Sequence, residues 1–276
     1  MNITKIKLII LLIFMALGVW AQAVNRVISL APSITKNIYF LEAQDKLVAC
    51  TSYCTEAIND KIEVVASAVK VNIEKVVMLK PDLVLVTSIT SPETIEMIQK
   101  FGIRVEVFET PKSFEQICVQ FIELGVLLGK SALANEIVKA SKEKIETFSK
   151  KKLLLNETTI FFQIGARPLF TVLPKTFMDD YITLIGARNL AEGFTQGSIT
   201  RESVITKNPD VIFIVTMGIV GNEEKTIWEG YQGMKAAENQ KIFIIDAEKA
   251  CSPTPITFIE TLETIVTLMN LETSTQ

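Results

Sequence analysis

Histidine is absent from all 276 residues. Its absence removes the commonest general base, every serine–histidine relay and most zinc sites. Proton chemistry is left to Asp, Glu, Lys and Tyr. Excess charge is missing too: 28 basic and 31 acidic side chains give a net charge of −3. No acidic or basic block interrupts the chain, so there is no electrostatic footprint for nucleic acid. The four cysteines, Cys50, Cys54, Cys118 and Cys251, include no Cys-x-x-Cys pair, which argues against a redox motif or a zinc ribbon. Beyond residue 23 no apolar run is long enough to span a bilayer.

The residues that are present suit a two-part globular protein. The length accommodates two modest domains or one large one, and 49% apolar content is ample for real cores. Residues 1–23 read as an export signal. Lys5 and Lys7 form a short positive region, Leu8 to Trp20 an apolar run, and Ala21-Gln22-Ala23 a small-x-small cleavage pattern. No cysteine follows the run to take a lipid. Cleavage near Ala23 removes two positive charges, taking −3 to −5, and leaves a protein expected to be soluble in the periplasm. There the four cysteines meet an oxidising environment, and three complete pairings are open to them.

Strands and helices alternate through the first part of the mature chain. Strands are expected at 26–30, 47–50, 83–86 and 105–108, with helices following Pro32, Ile73 and Pro92. The run Leu83 to Val86 has no polar alternation, as in a parallel strand covered on both faces. Helical spacing then dominates. Phe114, Ile117, Cys118, Phe121 and Leu124 share one face of a helix that Gly129 ends. Ser131 is read as the cap of a second helix running to about Lys151, a rod of about 30 Å. Strands return at 159–163, 211–215 and 242–245, with helices at 177–185 and 256–269. The pattern is an α/β fold of two Rossmann-like lobes, 24–130 and 152–276, joined by one long interlobe helix at 131–151.

The two halves share an internal repeat. Asn72-Ile73-Glu74 leads to Lys80-Pro81-Asp82, and Thr200-Arg201-Glu202 leads to Asn208-Pro209-Asp210. Seven positions separate Glu from Pro in each block, and Val76 matches Val204. One offset of 128 residues relates all four identities, which argues for a duplicated lobe. Two such lobes make a cleft, and ligands of open α/β sheets bind beyond the carboxyl ends of the strands. The ends read as 31–35, 52–54, 87–91, 163–167 and 216–217. Their lining of hydroxyls, small residues and single aromatics, with Arg167 as the one cation, suits a large uncharged or shielded ligand. It holds no two groups with complementary proton roles, so no catalytic residue is assigned.

Four segments then carry a family resemblance: Arg26 to Thr35 (RVISLAPSIT), Thr51-Ser52-Tyr53-Cys54, Leu79 to Val84 (LKPDLV) and Gly186 to Leu190 (GARNL). They resemble the periplasmic binding proteins of the cobalamin, haem and ferric-siderophore importers, with Ser-Tyr-Cys leaning toward the cobalamin branch. The resemblance implies a non-enzymatic, monomeric component of an ABC importer. Such a component captures a corrinoid, has no cofactor of its own, and delivers its ligand to membrane permease subunits. It also implies that Glu74 and Glu202 dock onto permease arginines. Without that resemblance, a glutamate in the first turn of a helix is explained by the helix dipole alone.

For the ligand, Tyr53 is the first candidate, followed by Pro32, Ser33 and Ser52. Gln163, Arg167 and Met217 are placed by strand ends, and Trp228 serves either as a stacking platform or as packing within a loop. Ser33 has the alternative of capping a helix. The chain departs from the family at Ala66-Ser67-Ala68, where glycines are usual, and at Cys251 to Pro255, where an arginine-and-proline segment is usual. Missing cations there weaken an anionic-siderophore reading, and a haem would need Tyr, Met or Cys to reach its iron. The rival readings are a haem or siderophore binder of the same fold, an interaction protein that has lost small-ligand binding, and a tetrapyrrole chelatase-like enzyme. The chelatase would need a base that the expected cleft does not offer.

Overall fold

The computed structural model describes residues 24–67, 70–151, 157–216 and 220–269. The expected leader at 1–23 and candidate Met217 lie outside them. Five parallel strands form the first sheet: β1 (Val27–Ser29), β2 (Leu47–Thr51), β3 (Glu63–Ala66), β4 (Leu83–Thr87) and β5 (Arg104–Phe108), in the order β3-β2-β1-β4-β5. Helices α1 (Pro32–Phe40), α2 (Thr55–Asn59), α3 (Ile73–Met78) and α4 (Pro92–Lys100) make the crossovers. Residues Leu83 to Val86 are wholly buried, because helices cover both faces of that strand.

Helix α5 (Phe114–Leu127) leads through Gly129, in the left-handed region at φ 72°, into α6 (Ser131–Lys151). Ser131 is the first residue of α6 rather than its cap; the first helical bond runs from the Ala134 N–H to the Lys130 carbonyl. The two helices pack so closely that a Cβ on Gly125 would lie 2.5 Å from the Ala134 Cβ. A side chain there would force them apart.

The second sheet holds β6 (Thr159–Ala166), β7 (Leu169–Thr171), β8 (Arg188–Asn189), β9 (Val211–Thr216) and β10 (Ile242–Asp246). Its order is β10-β9-β6-β7, with β8 also paired to β6, and only β7 runs antiparallel. Helices α7 (Asp179–Thr183), α8 (Arg201–Lys207), α9 (Val220–Glu229), α10 (Lys235–Glu238), α11 (Ala247–Ala250) and α12 (Pro255–Leu268) complete the lobe. The helix expected over 177–185 is trimmed to five residues of α7.

One apolar core runs from the first lobe into the second through α5, α6 and α12. Phe258 lies 4.8 Å from Phe114 and stacks on Tyr181 at 4.4 Å between ring centroids. The Phe114 N–H donates to Asp180 Oδ2 at 2.7 Å, and Lys144 pairs with Glu263 at 2.9 Å. Burial raises the Asp180 carboxyl above the usual range, against the lowering effect of that N–H. Aromatic pairs in such a seam add about 0.5–1.5 kcal/mol each beyond their area. The lobes are therefore packed together at their base, and they face each other across a cleft above it.

The repeat has a common structural job. Lys80 and Asn208 both adopt positive φ, at 48° and 46°, and end α3 and α8 before a proline. Asp82 then accepts from the Asn25 and Arg26 N–H groups, and Asp210 from the Thr159 N–H. Each aspartate ties the entry of one strand to the entry of its neighbour. Val76 and Val204 are wholly buried beneath the two helices.

Candidate functional site

The interlobe cleft has a volume of about 720 Å³ and is built from chain reversals at the carboxyl ends of strands. On the first lobe the β1–α1 turn contributes Pro32, Ser33 and Lys36. The β2–α2 turn contributes Tyr53, Thr55 and Glu56, and the end of β4 contributes Thr87 and Ile89. The β1–α1 turn is fixed from below: buried Thr35 donates its hydroxyl to Ser29 Oγ at 2.9 Å, and Ser29 donates to the Ala31 carbonyl at 3.1 Å. The helix cap is Ala31, with Pro32 in the first helical position, so the Ser33 hydroxyl is not used for capping.

Tyr53 is 55% exposed and lines the cleft. Its backbone N–H donates to Thr51 Oγ1, while the buried Cys54 Sγ lies 3.1 Å from Thr35 Oγ1 and 3.3 Å from Thr51 Oγ1. The turn is anchored by its small polar side chains, and the ring is left outside. A large aromatic held at an opening in this way offers apolar contact area at low entropic cost.

All four cysteines are free thiols in this structure; Cys50, Cys54 and Cys118 are buried and Cys251 is exposed. A hydrogen bond between the Cys50 and Cys54 side chains raises the first thiol and lowers the second. Cys251 lies in the cleft wall with part of its surface open, and desolvation by the surrounding lining, with the Asp246 carboxylate adding to it, pushes its thiol up to about 11.

The second lobe lines the cleft with the end of β10 and α11: Cys251 and Ser252, which the sequence marks as a departure from the family, and Ile244, Ile245, Asp246 and Glu248, which it does not. The strand-end rule applied to the run 242–245 would have found them. This segment also corrects the expected charge pattern. The cation in the cleft is Lys36, and Glu56, Asp246 and Glu248 accompany it. Lys36 donates across the cleft to the Glu248 carbonyl at 3.0 Å and lies 3.9 Å from the carboxylates of Glu56 and Glu248. Asp246 is occupied as the cap of α11, accepting from the Glu248 N–H at 2.9 Å.

Four other candidates are placed elsewhere. Gln163 and Trp228 are wholly buried inside the second lobe. Trp228 Nε1 donates to Gln163 Oε1 at 2.7 Å, and Gln163 Nε2 donates to Glu224 Oε2 at 2.8 Å. Arg201 pairs with the same Glu224 at 2.5 Å and lies 4.8 Å above the Trp228 ring. A buried carboxylate is tolerated only when paired in this way, so the glutamine and the tryptophan belong to an internal network and not to the cleft. Arg167 sits in the exposed β6–β7 turn, 3.9 Å from Glu223, and does not line the cleft. Ser52 lines a separate shallow surface with Val64, Asn72 and Glu74.

Glu74 and Glu202 occupy the first turns of α3 and α8 and are both exposed. The Glu202 carboxyl is held below its usual value by its own backbone N–H and the Thr200 hydroxyl. Neither forms a salt bridge among the described residues.

Two parallel-sheet lobes around a common cleft are the architecture of a binding protein. The family model of periplasmic binding proteins matches residues 27–249, and the chain belongs to that family. A vitamin B12-binding protein of Vibrio vulnificus is 28% identical over 256 residues, which cover 90% of this chain and 92% of the relative. An uncharacterised ABC transporter substrate-binding lipoprotein of Bacillus subtilis is also 28% identical, covering 81% of this chain and 73% of its own. Among solved structures, the periplasmic vitamin B12 binding protein of Vibrio cholerae superposes with a TM-score of 0.77 at 22% identity, covering 91% of this chain and 99% of that one. The periplasmic haem binding protein of the same organism gives 0.78 at 18%, covering 88% and 98%. At those identities the structural likenesses establish the fold.

Proposed function

We propose that this chain is the solute-binding component of an ABC importer, that it holds a corrinoid in the interlobe cleft, and that it hands the ligand to a membrane permease. The observation that carries the ligand class is the charge of the cleft. Among the described residues its one cation, Lys36, is already committed to Glu248 and Glu56, while three carboxylates share the lining. Like charge placed against like charge selects against a partner. Haem propionates and anionic ferric siderophores meet no free cation here, whereas a macrocycle with neutral, hydrogen-bonding arms meets hydroxyls, an exposed tyrosine and apolar Ile89 and Ile244. The names of the relatives, vitamin B12-binding proteins among them, agree with this choice. The leader at 1–23 would place the protein in the periplasm as a soluble monomer. Among the described residues no helix is long and apolar enough to cross a membrane.

A haem reading has one specific support: Tyr53 and Cys251, both of types that bind haem iron, line the cleft. Calorimetric titration of the purified chain with cyanocobalamin, haemin and a ferric siderophore separates the cases. Tight binding of cyanocobalamin alone is expected. Preference for haemin would overturn the corrinoid assignment, and silence with all three would favour a protein-interaction role.

Glu74 and Glu202 are assigned to permease docking. Helices that connect parallel strands run antiparallel to them, so their first turns lie at the carboxyl edge of each sheet, on the rim of the cleft. The two carboxylates then present one charge from each lobe on the side from which a ligand would be released.

A further inference from the structure

The repeat pairs Ile73 with Arg201, the residues that precede the two glutamates assigned to docking. Each is the first residue of its helix, α3 or α8. The approach to the two turns is held alike. An antiparallel bridge joins Ala66 to Val71 in the first lobe and Phe170 to Ser198 in the second, and Asn72 and Thr200 cap the helices. The next anchor differs. Ile73 packs against the buried cluster that holds Val65, Val76 and Ile98. Arg201 instead reaches to α9, where its Nη2 donates to the buried Glu224 Oε2 at 2.5 Å and its guanidinium lies 4.8 Å from the centre of the Trp228 ring. Glu224 is fixed in turn by Nε2 of Gln163 on β6. The second terminal nitrogen of Arg201, Nη1, is buried with no partner among the described residues.

Stability alone is a poor reason for this arrangement. Apolar side chains of similar volume often match or better a buried ion pair, and the first lobe has one at this position. What the pair supplies is direction, because a planar guanidinium held by a carboxylate over an indole ring has few orientations open to it. We propose that Arg201 is a positioning residue for docking: through Glu224 and Trp228 it fixes the first turn of α8, and so sets where Glu202 presents its carboxylate to the permease. The proposal rests on the docking assignment and adds the side chain that aims the contact made by the second lobe. A carboxylate already in place when its partner arrives does not have to be ordered on binding.

The test measures docking of the purified chain to inner-membrane vesicles from the cells that make it, as the fraction that sediments with the vesicles over a range of chain concentrations. Arg201→Met combined with Glu224→Met removes the ion pair without stranding a buried charge, and Gln163 Nε2 keeps its other acceptor, the Gly165 carbonyl at 3.1 Å. The double variant should melt close to the wild type and dock about tenfold more weakly, the cost of ordering about one residue's backbone on binding. Arg201→Lys keeps a charge beside Glu224 but loses the planar group, and should dock about threefold more weakly. In a Glu202→Ala background neither change should weaken docking further, because Arg201 acts through that carboxylate. A purely structural role would give the same loss with or without Glu202. Docking unchanged in both variants, or a loss that persists in the Glu202→Ala background, refutes the proposal and leaves the docking assignment standing. Docking unchanged by Glu202→Ala itself, or absent in the wild type, refutes the docking assignment and the proposal with it.

Discussion

Replacing Trp228 with phenylalanine separates the two roles open to this residue. In the structure the indole is wholly buried, and its Nε1 donates to Gln163 Oε1 at 2.7 Å. Phenylalanine keeps most of the apolar contact but leaves the Gln163 oxygen unpaired, which costs about 1–3 kcal/mol. The smaller ring leaves roughly 40 Å³ unfilled, worth about 1 kcal/mol more. Arg201, 4.8 Å above the ring, also loses part of its cation–π contact. A total of about 2–4 kcal/mol should lower the melting temperature by roughly 5–15 °C for a chain of this size. Circular dichroism is the appropriate probe, because in a form lacking residues 1–23 Trp228 is the single tryptophan. Its emission in the wild type should be blue-shifted and insensitive to a soluble quencher. Ligand affinity, measured on the same preparation, should stay within about twofold, since Trp228 lies outside the cleft lining. A variant with normal stability and an affinity reduced tenfold would refute the buried-network account and restore the stacking platform.

Tyr53→Ala should do the opposite: little change in melting temperature, because the ring is 55% exposed, and a loss of affinity of about tenfold in calorimetry. Cys251 should be the thiol that alkylates in the native protein, since the other three are buried. With its thiol pushed up to about 11, the thiolate fraction is small at neutral pH, so the iodoacetamide rate should climb about tenfold per pH unit from 7 to 10. An unshifted thiol would level off near 8.5. Bound ligand should suppress the labelling, as followed by mass spectrometry. Charge reversal at both Glu74 and Glu202 should abolish transport into cells or vesicles and leave ligand affinity unchanged; surviving transport would remove docking through these residues.

The α/β class was legible because the buried strands carry their burial in their composition. Leu83 to Val86 and Val211 to Val215 are uninterrupted apolar runs, and both are central strands. The shorter elements were not. Strand β3, Glu63–Ala66, is an edge strand whose first half is exposed, so it lacks an apolar signature. Helix α9, Val220–Glu229, reads as polar because only one face meets the sheet. The cleft was legible where a strand is followed at once by a helix, as at Pro32 and Tyr53. It was misread where a strand end is capped by the protein itself. Gln163 stands near the end of β6, yet β6 continues past it into a hairpin with β7, and the antiparallel partner turns the glutamine inward to Trp228 and Glu224. A strand-end rule presumes that the chain leaves the sheet there, and a hairpin violates that premise.

The residues of the 128-residue repeat have two separable causes in the structure. Positive φ at Lys80 and Asn208, the following prolines, and the aspartates bound to strand N–H groups explain Pro and Asp without any ligand or partner. The buried Val76 and Val204 are explained by packing. The glutamates are different. Asn72 and Thr200 already cap the two helices by accepting from the Lys75 and Ser203 N–H groups. The first-turn dipole favours Glu74 and Glu202 by about 0.3–1 kcal/mol when exposed, and aspartate or a second capping group would serve as well. Fold stability thus accounts for three of the four identities and leaves the fourth, one exposed carboxylate per lobe at matched positions, as the part of the repeat on which the proposed docking rests.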